Sequence, residues 1–167
     1  MGGVVLPVGA ASLVTDIVTD PLTGVAMEGY DPVSYFTGPA PQPGSPDHEY
    51  YWGGVPWHFV SAANRDVFIR APDVYAPQFG GHCSMSLARG HLSDGNPRFY
   101  AIEKMKLHLF YSAANREAFL LSPEQAAIEA AARWPALAAN LSGEAAAEKI
   151  VEEQEQGAED PISPNIH

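Results

Sequence analysis

Residues 61–68 read SAANRDVF, and residues 112–119, which lie 51 positions later, read SAANREAF. Six of the eight positions are identical, and Asp66 and Glu117 occupy one of the differing positions with the same charge. Two segments that match at six of eight positions rarely arise by chance. They indicate an internal duplication within the chain.

A strand pair is predicted before each copy. In residues 49–60, two adjacent glycines separate two aromatic-rich runs, which is typical of a hairpin with a two-residue turn. Residues 98–111 have the same plan. A serine follows each hairpin and can cap a helix, so helices are predicted at about 62–70 and 113–121.

These elements predict an α+β fold. Two repeated units, at about 49–70 and 98–121, are expected to join their hairpins in one antiparallel sheet with the helices on one face, because an isolated hairpin is only marginally stable. A third helix, at about 123–141, begins after a Ser-Pro pair and is expected to pack on the sheet.

The same pattern divides the chain into three parts. Residues 24–142 are predicted to form the domain, and residues 1–23 an N-terminal extension. Residues 143–167 contain many acidic residues and are predicted to be a flexible tail.

Charge and cysteine content exclude several classes of function. The net charge is −11 and the pI is about 4.8, so nucleic acid and anionic membrane surfaces are poor partners. No apolar run is long enough for a membrane span, and the first residues lack the basic start of a signal peptide. A cytoplasmic protein is therefore expected, with a metal ion, a protein partner or a second copy as its partner. A single cysteine excludes an internal disulfide.

The segment 79–91 (FGGHCSMSLARGH) holds the residues best suited to chemistry. Cys83 and Met85 are two positions apart, His82 precedes the cysteine, and His91 follows eight positions later. Thiolate and thioether are the ligands that Cu(I) prefers, and imidazole also suits copper. The segment therefore predicts a copper site built from Cys83 with Met85, His82 or His91.

Other interpretations of this segment remain open. Cys83 can be a small buried hydrophobe with Met85 as core filler, which is the more frequent role of such residues. Alternatively, Cys83 can be a nucleophile or redox sensor if His82, His91 or His108 lowers the pKa of its thiol.

A third interpretation is a metal-free module that binds a small ligand or a protein. Its pocket or core would use a set of aromatic side chains, namely Tyr30, Tyr35, Trp52, Trp57 and Tyr75. In the repeat alignment His108 matches Trp57 and His58 matches Leu109, so the two histidines are predicted to lie on opposite faces of their strands. His108 is expected to point inward and to be hydrogen-bonded.

The sequence resembles the stand-alone bacterial YHS-domain proteins. The resemblance covers about residues 24–137 and rests chiefly on residues 29–36 (GYDPVSYF), 57–61 (WHFVS) and 75–83 (YAPQFGGHC). The pattern of that family is similar to GYDPVAYF, followed by a strand turn with W-x-F-x-S, and then P-x-x-Y-x-P-Q-Y-G-G-Y-C.

The resemblance implies a metal-binding accessory protein, with copper as one suggested ion and no established catalytic residue. Only Cys83 matches the position suspected as a ligand in the family. His82 replaces a common tyrosine, and Met85 adds a soft donor. Ser34 stands where ATPase-linked relatives carry a cysteine, which argues against a two-thiolate site. A non-catalytic copper-binding protein is the leading hypothesis.

Overall fold

The computed structural model describes residues 16–157, so that 1–15 of the expected extension and 158–167 of the expected tail lie outside the described residues. The helices and strands in the described range are α1 Ser34–Thr37, β1 Ser45–Trp52, β2 Val55–Phe59, α2 Ala62–Arg70, α3 Pro72–Tyr75, α4 Ser84–Ala88, β3 Asn96–Glu103, β4 Lys106–Phe110, α5 Ala113–Leu120 and α6 Pro123–Gly157. The α+β prediction is confirmed.

The hairpins do not join in one sheet, so that prediction is wrong. β1 pairs only with β2, and β3 only with β4, each in an antiparallel two-stranded sheet. The other side of β4 carries an isolated parallel bridge between Leu109 and Cys83. Because the backbone just before α4 lies along this edge of β4, the edge is not free to pair with the first hairpin.

The two hairpins nevertheless match in detail. β1 and β3 begin at Ser45 and Asn96, and β2 and β4 begin at Val55 and Lys106, which is an offset of 51 residues in both cases. Each hairpin has its register shift at the corresponding position of its first strand. An origin by duplication stays a prediction.

Matching serines begin the helices that follow. Ser61 Oγ accepts a hydrogen bond from the Asn64 backbone N–H at 3.1 Å, and Ser112 Oγ accepts one from Asn115 N–H at 3.2 Å. Each bond satisfies one of the free donors in the first helical turn. The predicted caps and the predicted starts of both helices are confirmed.

Strand β4 separates two hydrophobic cores. Leu107 and Leu109 point into a core that the first unit dominates, with Trp57, Phe59 and Phe68. Phe110, on the other face of β4, joins a second core with residues of α4, α5 and α6. Both faces of β4 are therefore buried, whereas β2 buries only one.

The last helix is longer than predicted. α6 continues from Pro123 to Gly157 and so includes residues 143–157, which were expected to belong to the tail. Alanine and glutamate dominate that stretch and favour continued helix. Earlier in α6, Pro135 lies within the helix without ending it. α6 packs chiefly against α4 and shares the second core with Phe110 of β4. None of the helices in residues 16–157 is long and apolar enough to cross a membrane.

The described part of the expected N-terminal extension lies against the domain. Val18 N–H donates to the Gly80 carbonyl at 2.8 Å, and Thr19 forms a bridge with Ala26. A Cβ at Gly80 would overlap the Asp16 backbone. The glycine therefore allows this close approach of the two segments.

Candidate functional site

Cys83, the central residue of the expected copper site, is fully buried. Its exposed fraction is 0%, and it belongs to the second core together with Leu87, Phe110 and Phe119. Cys83 Sγ accepts a hydrogen bond from Ser86 N–H at 3.5 Å and thereby caps α4. The thiol has a structural role in this arrangement.

The other expected ligands lie in three different environments. His82 is buried; its Nδ1 lies 2.9 Å from the Phe79 carbonyl oxygen, and its ring packs against Trp134 at 5.4 Å. Met85 is half-buried against the second core, and His91 is exposed. Within residues 16–157, no three His, Cys, Asp or Glu side chains form a group suited to a metal ion. A copper site stays a prediction.

Cys83 and Asp31 occupy matching local structures. Each lies two positions after three residues with positive φ, which are Met27–Gly29 at 55°, 51° and 83°, and Phe79–Gly81 at 57°, 62° and 86°. Each side chain accepts a hydrogen bond from the backbone N–H three residues further on, at 3.3 Å for Asp31 and 3.5 Å for Cys83. The two residues thus hold equivalent turns in the two halves of the domain.

Asp31 is the more strongly bonded of the pair. Its fully buried carboxylate accepts from Val33 N–H at 2.8 Å, from Val60 N–H at 2.9 Å and from Asn64 Nδ2 at 2.7 Å. These bonds tie the turn to the end of β2 and to α2, so Asp31 holds this turn in place. The carboxylate is engaged in structure.

The aromatic set of the third interpretation contributes to the first core. Tyr35 and Trp57 are buried in that core, and Tyr30, Trp52 and Tyr75 pack against it while remaining partly exposed. Of the two alternatives expected for this set, core and pocket, the core is the one observed.

A cavity of about 250 Å³ lies between the second hairpin and α6. Phe79 contributes a wall, α6 contributes the small side chains of Ala127 and Ala131, and Ile128 adds further apolar surface. His108 lines the cavity from β4. Pockets that bind small molecules share this combination of apolar walls and a few polar groups.

His108 is a neutral imidazole held in one orientation. It is 2% exposed, and its Nδ1 lies 2.7 Å from Ser84 Oγ. Burial, and to a smaller extent the Lys106 charge, lowers the pKa of His108 to about 4. The prediction that His108 points inward and is hydrogen-bonded is confirmed. His58, at 14% side-chain exposure, instead bonds Glu49 on the opposite face.

The hydrogen position on His108 follows from its partner. Within residues 16–157, Ser84 Oγ has no other hydrogen-bond acceptor, and a buried hydroxyl rarely leaves its hydrogen unpaired; we therefore assign its hydroxyl as the donor to His108 Nδ1 and the ring hydrogen to Nε2. Nε2 has no hydrogen-bond partner among these residues, and it is not completely enclosed by protein atoms. The cavity therefore presents an N–H donor.

The cavity lies at positions that large side chains occupy in the first unit. The inner face of the first hairpin carries Tyr50, Trp52, Val55, Trp57 and Phe59. The corresponding face of the second carries Ala101, Glu103, Lys106, His108 and Phe110. Phe68 of α2 contacts all four rings of the first face, with centroids 5.1 to 6.4 Å away. The matching Phe119 contacts the rings of His108 and Phe110 at 5.0 and 4.9 Å.

An ion pair spans the mouth of the cavity. Lys104 Nζ, in the β3–β4 turn, lies 2.6 Å from Glu124 Oε1 at the start of α6, and both side chains are 65% exposed. Lys104 also has a positive φ of 48°, and Phe79 in the opposite wall has one of 57°. Strained backbone of this kind gathers at ligand-binding sites.

The sequence contains a signal for this cavity. The repeat alignment pairs Trp52 with Glu103 and Trp57 with His108. Loss of two indoles from equivalent core positions predicts either a refilled core or a cavity, and only the packing of α6 decides between them.

Neither the protein-family models, nor the curated proteins, nor the solved structures contain a match to this chain.

Proposed function

We propose that this protein is a non-catalytic module that binds a small, largely apolar molecule in the cavity beside His108. The proposal rests on one observation: the cavity lies where the first unit has its indole-filled core, and His108 presents an oriented donor in its wall. A core position that gives up packing in one of two similar units, without refilling, is typical of a site kept open for a ligand.

A binding role fits the chemistry better than catalysis does. Ser84, the hydroxyl nearest to the imidazole, is fully buried and does not line the cavity. Its hydroxyl orients His108 and is not placed to attack a ligand. The thiol of Cys83 is likewise sealed in the second core.

A fragment screen by NMR tests the proposal. Small aromatic and aliphatic fragments are expected to shift the amide signals of His108, Phe79 and Ala131. The substitution His108→Trp introduces the residue that the first unit carries at the equivalent position and is expected to fill the cavity. It should therefore abolish these shifts while the spectrum remains that of a folded protein.

The matched control is Tyr51→Trp, which adds an indole on the exposed outer face of the first hairpin. It should leave fragment binding unchanged. Fragments that bind the His108→Trp protein as well as the original, or a screen without any shift at the cavity, would contradict the proposal.

The copper hypothesis remains a separate prediction. Its support is that Cys83 and Met85 contribute a thiol and a thioether to the same packed core. Elemental analysis of untagged protein, purified without chelators, should find near-stoichiometric copper that Cys83→Ser abolishes and Met85→Ala reduces. Copper-free protein with an unreactive thiol would reject it.

A further inference from the structure

We infer that the ligand is a planar, uncharged aromatic molecule of about two fused rings that carries a hydrogen-bond acceptor. This inference rests on the proposed binding function and adds the chemical class of the ligand. Shape, hydrogen-bonding polarity and charge each contribute an independent argument.

The shape argument comes from the first unit. There the positions equivalent to Glu103 and His108 carry the indoles of Trp52 and Trp57, whose centroids are 5.7 Å apart. The two hairpins have equivalent strand limits and the same register. The second unit carries smaller side chains at these two positions, so it has room there for flat bicyclic groups. Small Ala127 on α6 leaves one side of that space open.

The walls favour an aromatic occupant. The Phe79 ring lies 6.0 Å from the His108 ring and 5.9 Å from the Trp134 ring, so its orientation is fixed by neighbours on both sides. Such a ring offers an edge or a face to a second aromatic group at no further cost in side-chain entropy.

The polarity argument comes from Ser84. Since its hydroxyl donates to His108 Nδ1, the free Nε2 carries hydrogen and can only donate. A ligand that reaches it must bring an acceptor, such as a ring nitrogen or a carbonyl oxygen. A ligand with only donors would leave two hydrogens facing each other.

The charge argument favours a neutral ligand. Lys104 and Glu124 neutralise each other at the mouth, and Glu103 and Lys106 stand opposite each other in the strand register. The His108 imidazole is neutral near pH 7 and offers no countercharge. Because the two lysines and two glutamates of the lining balance, an ionised group would lose its hydration without gaining a net countercharge.

Three flat bicyclic probes of similar size test the inference by titration at pH 7. Quinoline has a ring acceptor, naphthalene has no polar atom, and indole has a donor only. Quinoline is expected to bind about fivefold more tightly than naphthalene, which is the typical gain from one hydrogen bond, and indole should bind no better than naphthalene.

Ser84→Ala tests whether Ser84 positions the hydrogen. Without the hydroxyl, the ring hydrogen is free to move to Nδ1, so the preference for quinoline over indole should fall several-fold. The ¹⁵N shifts of the His108 ring should report hydrogen on Nε2 in the original protein and a mixture in the variant. A variant that merely destabilises the fold would weaken all three probes equally.

The outcomes separate this inference from the binding function. If indole or naphthalene binds as well as quinoline, or if the ring hydrogen sits on Nδ1 in the original protein, the ligand class is wrong while the cavity remains a binding site. The same holds if only non-planar fragments bind. If no fragment of any class binds, both proposals fail.

Discussion

At the scale of the residue, Asp31 and Cys83 occupy equivalent turns but stabilise them through different chemistry. Both follow a left-handed turn and accept a hydrogen bond from the N–H three residues on. The carboxylate adds bonds from Val60 and Asn64, which sulfur, a weak acceptor, would satisfy poorly. Cys83 instead gains from apolar burial.

We expect Asp31→Ala to lower the free energy of unfolding by about 3 kcal/mol or more, because the buried backbone N–H of Val33 and the partly buried donors of Val60 and Asn64 would be left without an acceptor. Urea denaturation measures the change. Asp47→Ala, at an exposed position of β1, should stay within about 0.5 kcal/mol. Equal effects of the two substitutions would show that the Asp31 bonds do not stabilise the fold.

His108 predicts a loss of stability in acid. Burial lowers the pKa of His108 to about 4 from 6.5, so the unfolded chain binds more protons than the folded one between these values. Stability therefore falls as the pH drops below 6.5, and the loss is complete below about 4. From pH 7 to pH 5 the contribution is about 2 kcal/mol.

Urea denaturation of the original protein and of His108→Gln at both pH values isolates this contribution from those of other titrating groups. The variant should lose about 2 kcal/mol less than the original between pH 7 and pH 5. Parallel losses in the two proteins would mean that His108 keeps an ordinary pKa in the fold.

At the scale of the element, local patterns predicted the hairpins and helix starts because adjacent residues determine them. The glycine pair turns the first hairpin, and Ser61 and Ser112 cap their helices. The separation into two sheets depends on what lies beside β4, which no local pattern contains. The predicted helix ends at about residue 141, whereas α6 continues past Gly143 to Gly157, because the surrounding alanines favour helix.

The two hairpin turns differ in their backbone cost. Gly53 and Gly54 have φ values of 61° and 83°, and the matching Lys104 and Met105 have 48° and 62°. Left-handed backbone is unfavourable for residues with a Cβ. Met105→Gly is therefore expected to raise the free energy of unfolding by about 0.5–1 kcal/mol, after the entropy that glycine adds to the unfolded chain.

Met105→Ala serves as the control, because Met105 is 74% exposed and alanine keeps the Cβ. It should give no such gain in urea denaturation. A glycine variant no more stable than the alanine variant would show that the turn does not carry the expected strain.

At the scale of the whole molecule, the proposed function divides structure and binding between the two units. The first unit fills its hairpin face with rings around Phe68, whereas the second replaces them with smaller and polar groups beside α6. Proteins commonly give up stability where they keep a site open. The second unit should therefore gain stability when its cavity is filled, and the first should lose stability when its core is emptied.

Reciprocal exchange tests this division. His108→Trp should raise the free energy of unfolding by about 1–2 kcal/mol, since the indole buries apolar area and its N–H can reach the Glu103 carbonyl as Trp57 Nε1 reaches Trp52 at 2.9 Å. Trp57→His should cost about 3–5 kcal/mol, because nothing refills the first core. Urea denaturation at pH 7 measures both. A strongly destabilised His108→Trp protein would mean that the cavity cannot accept an indole, and the equivalence of the two hairpin faces would fail with it.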